Sequence, residues 1–262
     1  TPGGSINLNN RVEITNENKI SGSYYMNYVS VMKANVPAIV LSLFVPNWDI
    51  YNEEDITGLD YKTLFKIEQI DLKNSIYLAS LNAYRKAGKT INVTLEKPYV
   101  TLVSEESKTN LLVLDEIISI DGKKFTKLSE FQEYINSLDF DDKVTFVVKE
   151  NGKEKEKYAY VINLEGEKKV GISIVTEYDF ESDPKLEMKT KASEAGSSGG
   201  LMLSLEIYDK LTSKDLSHGK KVMGTGTIDE DGNVGAIGGV KYKMLGASAS
   251  YKINIFIFFK FR

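Results

Sequence analysis

Eleven of the chain's 20 glycines fall between Gly196 and Gly246. Glycine at that density marks backbone positions where a side chain does not fit, in tight turns or where the backbone closely approaches another group. The last third of the chain must therefore fold around its backbone, and any chemistry built there is held by turns and helix starts.

The first two thirds carry more ordinary signals. Thr1-Pro2-Gly3-Gly4 reads as the exit from a linker. Arg11–Thr15 and Gly22–Met32 read as strands, with Asn16–Lys19 turning between them. Asn35 is placed to cap a short apolar helix, Val36–Phe44, with Pro37 in its first turn. Residues 59–87 give the longest helical pattern: Leu64, Ile67, Ile70, Leu72, Ile76, Leu78, Leu81 and Tyr84 recur mostly three or four apart, and Gly88 closes it. The pattern reads as plain packing. From Ile91 to Ile162 short strands surround one helix, Leu128–Leu138, for which Thr126 is a candidate cap. Asp121-Gly122 and Asn151-Gly152 are tight-turn dipeptides, the second a hairpin signal between Val144–Lys149 and Tyr158–Ile162. The charge run Glu150–Lys157 reads as that hairpin's solvated tip.

Composition removes several chemistries. The 262 residues include no cysteine, which excludes disulfides, thiol nucleophiles and Cys-based zinc sites together. Net charge is −4, which argues against a nucleic-acid binder. No apolar run reaches the roughly 18–20 residues of a membrane helix. The single histidine, His218, reads as a surface loop residue, so a hydrolase built on this chain has a carboxylate or a lysine as its alternative base. A calcium loop starting at Asp229 fails, because Val234 and Val240 stand where glycine and glutamate are needed. The Gly-Lys-Ser/Thr of a phosphate loop is missing as well.

Two segments remain. Gly196-Ser197-Ser198-Gly199-Gly200 runs directly into the apolar stretch Leu201–Tyr208. A serine there sits beside the free amides and positive dipole end of a helix, which is what a nucleophile and an oxyanion site both need. An ordinary N-cap serine with glycines for tight packing gives the same pattern. Farther on, Thr225-Gly226 precedes an Asp231-Gly232 hairpin turn, and Gly238-Gly239 leads into a helix that carries Lys241 and Lys243.

Taken together, these segments resemble the proteolytic domain of the Lon family, in its membrane-anchored, PDZ-containing, ATP-independent bacterial branch, known for processing secreted peptides. The family's Gly-Pro-Ser-Ala-Gly motif matches Gly196 through Gly200, with Ser197 for proline and Gly199 for alanine. Its Gly-Gly-x-x-x-Lys motif matches Gly238 through Lys243. The resemblance implies Ser198 as nucleophile and Lys243 as general base, with Thr225, whose hydroxyl supports the lysine amine, and Gly196 and Ser197 in support. Lys241 is the tempting wrong choice. Such a base must be largely neutral near pH 7–8, so Lys243 is expected among apolar neighbours, with Met223, Val240 and Leu245 as candidates and no acidic residue touching it. Upstream, Leu111–Phe125 resembles a PDZ signature: Asp115, Ile117 and Asp121-Gly122 match, while Leu114 replaces its glycine. Thr1–Gly4 and Ser21–Met26 are similar to the branch just after its N-terminal membrane helix.

The reading that follows is an α+β chain: residues 1–95 as an N-terminal strand-and-helix region packing on the protease, 96–165 as a PDZ-like domain, and 166–262 as a Lon-type proteolytic domain shortened at its C-terminus, where Ile253–Phe259 supplies a strand. The expected activity is that of a serine endopeptidase with a Ser-Lys dyad, with no cofactor and no metal. A peptide or protein is its substrate, it acts on the extracytoplasmic face of the cell membrane of a Gram-positive-type bacterium, and its membrane anchor lies outside this chain. The rival expectation is a peptide-binding module whose protease half is inactive.

Overall fold

The computed structural model describes residues 1–51, 58–125, 127–150, 152–248 and 253–258. Thr126, Asn151 and Phe259, three residues the sequence reading relied on, lie outside them. The chain forms two compact units, one made of residues 1–94 and 179–262, the other of residues 95–178.

The first unit is assembled from both ends of the chain. Its four-stranded sheet runs β1 (Pro2–Asn7), β3 (Ser23–Val29), β12 (Lys221–Thr225), β15 (Ile255–Phe258). The first pair is antiparallel and the next two are parallel. Thr1–Gly4 is thus largely strand and not a linker exit: Pro2 pairs with Val29, and a Cβ on Gly3 would stand 2.1 Å from the Tyr28 carbonyl oxygen. Strand β2 (Val12–Ile14) pairs with β11 (Leu186–Met188), and β13 (Thr227–Ile228) with β14 (Val234–Gly235) around the Asp231-Gly232 turn.

Helix α1 (Val36–Ser42) starts where Asn35 accepts a hydrogen bond from the Ala38 amide. Helix α2 (Tyr61–Ala87) is capped by Asp60 and closed by Gly88 at φ 66°. Its packing face differs from the expected one. Ile70 and Tyr84 are buried, but with them go Ser75, Ala79, Ser80, Asn82 and Ala83. The small residues let α4 (Gly200–Leu211) approach closely: a Cβ on Gly200 would lie 2.9 Å from the Ser75 hydroxyl. The core joins Ala79, Ala83 and Tyr84 of α2 to Met202, Leu203 and Ile207 of α4 and Tyr24 and Val222 of the sheet. Helix α5 (Val240–Ser248) lies over β1, where a Cβ on Gly246 would stand 3.0 Å from the Gly3 backbone.

The second unit holds a five-stranded sheet ordered β10 (Ile172–Asp183), β4 (Thr90–Val103), β5 (Glu116–Ile120), β6 (Lys143–Glu150), β7 (Lys153–Tyr160). Helix α3 (Leu128–Ser137) buries Phe131 and Ile135 against Val100, Phe146 and Val148. A short hairpin, β8 (Ile162–Leu164) with β9 (Glu167–Lys169), follows β7. The unit reaches Tyr178, past the boundary expected at residue 165, because β10 returns to pair beside β4.

Two details of this unit depart from expectation. Lys157 is not part of a solvated tip. Its ammonium sits 2.8 Å from both carboxylate oxygens of Asp115, and both side chains are buried. Asp115 also accepts from the Leu112 amide at 2.7 Å. Leu114, which stands at the glycine of the PDZ signature, keeps a glycine conformation at φ 73°. Its amide donates to Val100 and the Val100 amide to Asp115, and these bonds fix the turn despite the cost of the left-handed region to a branched side chain.

Candidate active site

The Gly/Ser loop ahead of α4 is pinned residue by residue. The Gly196 amide donates to the Glu68 carbonyl at 2.7 Å. The Ser75 hydroxyl donates to the Ser197 carbonyl at 2.9 Å. The Ser198 carbonyl accepts twice, from the Gly226 amide and from the Thr225 hydroxyl, both at 2.9 Å. Helix α2 and strand β12 therefore hold the loop from opposite sides. Gly196 sits at φ 93°, and a Cβ there would lie 2.9 Å from a Glu68 carboxylate oxygen.

Gly199 is the N-cap of α4 and supplies no side-chain cap. The first-turn amides of α4 thus meet no capping side chain, and the positive end of the helix dipole faces the Ser198 loop. The Gly200 amide turns back to the Ser197 carbonyl at 3.3 Å. Ser197 and Ser198 are both half-buried.

Lys243 comes to the site from the other end of the sheet. Gly239, at φ 66°, turns the chain into α5 and accepts the Lys243 amide at 3.0 Å. The buried Asn27 of β3 donates its side-chain N–H to the Lys243 carbonyl at 3.2 Å. Lys243 is only 5% exposed. Burial pushes its amine down to about 8, and the negative charge of Glu68 opposes that shift. Lys241, by contrast, is exposed and pairs with Asp49 at 3.4 Å.

The structure bears on three expectations about this site. The Thr225 hydroxyl donates to the Ser198 carbonyl and so supports the serine loop, while its oxygen keeps its acceptor capacity. Leu245 is exposed and does not line Lys243, because α5 turns that face outward. The charge of Glu68 acts on the amine and opposes its downward shift. Among the described residues, the Lys243 ammonium and the Ser198 hydroxyl each lack a hydrogen-bond partner, so the two are not bonded to each other. Catalytic hydrogen bonds are commonly open without substrate and close in the bound complex.

Glu68, Ser75 and Asn27 were not legible as site residues. Each lies more than a hundred residues from Ser198 in sequence and on an element that reads as packing. His218 lies in an exposed loop at φ 48°. Among the described residues, no cluster of three His, Asp or Glu side chains is placed to hold a metal.

A family model described as PDZ domain matches residues 70–158. The match starts inside α2 and covers β4 through most of β7. Among solved structures, the chain is similar to the PDZ domain of an SdrC-like protein from Listeria innocua, with 29% identity over 30% of this chain and 92% of that one and a TM-score of 0.28. The PDZ domain of the SdrC-like protein from Listeria monocytogenes gives 29% identity over 32% and 93%, with a TM-score of 0.29. The second domain of the Listeria protein Lin2157 gives 31% over 32% and 88%, with a TM-score of 0.28. No curated protein matches the chain.

Proposed function

We propose that this chain, which carries a PDZ domain, binds extended peptides or proteins and cleaves them with Ser198 as nucleophile and Lys243 as general base. The observation that carries the peptidase reading is the buried lysine. A lysine 5% exposed and lowered to about 8 is costly to keep and is half neutral near pH 8. It accompanies a serine at an uncapped helix start whose loop is fixed by Ser75, Thr225 and Gly226.

In this mechanism the neutral Lys243 amine takes the proton from the Ser198 hydroxyl as the oxygen attacks the scissile carbonyl. Backbone amides of the loop at the start of α4, other than those of Gly200 and Leu201, which already donate to the Ser197 and Gly226 carbonyls, donate to the developing oxyanion. The ammonium then returns the proton to the leaving amine, and a water, deprotonated by the same lysine, releases the acyl group. The peptide is delivered by strand addition to the PDZ sheet. The two edges of that sheet are β10 and β7. The outer edge of β7 is occupied by the segment 108–110, through the Tyr160 amide on Lys108 and the Asn110 amide on Tyr158, and the rest of β7 is a charged run that discourages pairing. The resemblance to membrane-anchored Lon-like proteases adds the extracytoplasmic face of a Gram-positive-type membrane as the location of this activity.

The second reading, a peptide-binding module with an inert protease half, is favoured by the open Ser198–Lys243 pair and by the Thr225 hydroxyl donating to the serine loop. Cleavage of an unstructured peptide library by the full chain separates the two. Lys243→Arg should be as damaging as Lys243→Ala, a loss of at least about a hundredfold in kcat/KM, because guanidinium does not deprotonate. Lys241→Arg should be neutral. Full activity in Lys243→Arg would end the Ser-Lys reading.

A further inference from the structure

Helix α1 is built the wrong way round for a globular protein. Its half-buried residues are the small ones, Ala38 and Ser42, with Val45 beyond them on the same side. The large apolar residues of the helix and of the two positions after it are all exposed: Val36, Ile39, Val40 and Leu41, then Leu43 and Phe44, with Val36, Leu43 and Phe44 at 74%, 78% and 77%. At 3.6 residues per turn the four within the helix alone spread over more than half of its circumference. A surface helix ordinarily places its apolar stripe against the core and its polar face in water. Met32 before the helix and Ile50 and Tyr51 after it are exposed as well.

We propose that this segment is a membrane-docking surface, inserted into the headgroup–acyl boundary of a lipid bilayer. The choice of lipid over a protein partner rests on shape and charge. A convex surface apolar over more than half its circumference is covered by a medium that closes around it, whereas docking on a flat or matching protein face covers one stripe. No charged residue occurs from Ala34 through Trp48. Its borders carry both signs, Lys33 before it and Asp49, Glu53, Glu54 and Asp55 after it, so the apolar character of the run and not lipid charge selects the bilayer. Lys33 is exposed at one end, and at the other Asp49 is paired with Lys241 and bonded by the Tyr242 hydroxyl. Trp48, the chain's only tryptophan, is half-buried at the edge of the patch, where an amphipathic ring is favoured at a membrane interface. The helix rises only about 10 Å, and no described helix is long and apolar enough to cross a membrane. The segment therefore lies in the interface, with the protein body serving as the polar face of an interfacial helix. Because Asp49 is tied to α5, docking would hold the Lys243 helix near the lipid surface. The inference does not depend on Ser198 being a nucleophile.

The test uses the full chain with vesicles of phosphatidylcholine alone and of phosphatidylcholine containing phosphatidylglycerol. The protein should float with both kinds of vesicle. Trp48 emission should shift to the blue and be quenched by lipids brominated near the headgroup. The double variant Leu43→Ser, Phe44→Ser alters two side chains that are almost fully exposed and leaves the core alone. It should partition at least about tenfold less, given the apolar area removed, with an unchanged fold by circular dichroism. Absence of flotation on both vesicle types would overturn the proposal. So would wild-type protein that self-associates without lipid while the double variant stays monomeric, since the patch would then be an interface between copies.

Discussion

Lys241 and Lys243 stand two residues apart on one short helix, and their surroundings separate them. Lys241 is solvated and paired with Asp49. Lys243 is buried, and burial holds its amine near 8 against the pull of Glu68. If that amine is the base, kcat/KM rises with pH as the ammonium loses its proton and levels off above a midpoint near 8. Glu68→Gln removes the negative charge that favours the ammonium, so the amine pKa falls and the rising limb moves to lower pH. A limb that stays in place or moves upward in Glu68→Gln would show that the carboxylate does not act on the base. The backbone link from Gly196 to Glu68 survives this substitution because it uses the carbonyl. A change in the limb is therefore not simply a loosened loop.

At the scale of elements, the signals that were legible are local ones. The start of α1 at Asn35, the end of α2 at Gly88 and the hairpin turn at Asp231-Gly232 follow from a cap, a left-handed glycine and a turn dipeptide. What was not legible depends on partners distant in sequence. Nothing in Lys153–Lys157 distinguishes Lys157 from the exposed charges beside it. Only the pairing of β7 with β6, and the arrival of Asp115 beneath it, makes that lysine a buried ion. Likewise the serine and lysine motifs of the site could be read, while Glu68, Ser75 and Asn27 could not, since helix α2 and strand β3 are assigned to the site by tertiary contact alone. The buried pair gives a stability prediction. Asp115→Asn leaves the buried Lys157 with only the longer, half-buried contact to Glu150 at 3.7 Å and should cost about 3 kcal/mol, seen as faster amide exchange across β5, β6 and β7. Asp115→Leu combined with Lys157→Met should cost far less, because neither charge then remains buried. Equal losses in the two variants would show that the packing of the turn, not the ion pair, holds this region.

At the scale of the whole chain, the candidate site is a product of its two ends. Residues 1–94 supply Asn27, Glu68 and Ser75, and residues 179–262 supply Ser198, Thr225 and Lys243, within one compact unit. Between these ends runs the unit of residues 95–178, which carries most of the PDZ match. The chain thus joins peptide recognition to a site whose parts are drawn from both termini, and the central claim is that this site holds a reactive serine. The most direct measurement is labelling of the full chain by a fluorophosphonate, followed by intact mass and peptide mapping. The account predicts one adduct, on Ser198. It should form faster as pH rises toward 8, be lost in Ser198→Ala and Lys243→Ala, and persist in Ser197→Ala. An unlabelled wild-type chain, or an adduct that maps to Ser197 or survives Lys243→Ala unchanged, would contradict it.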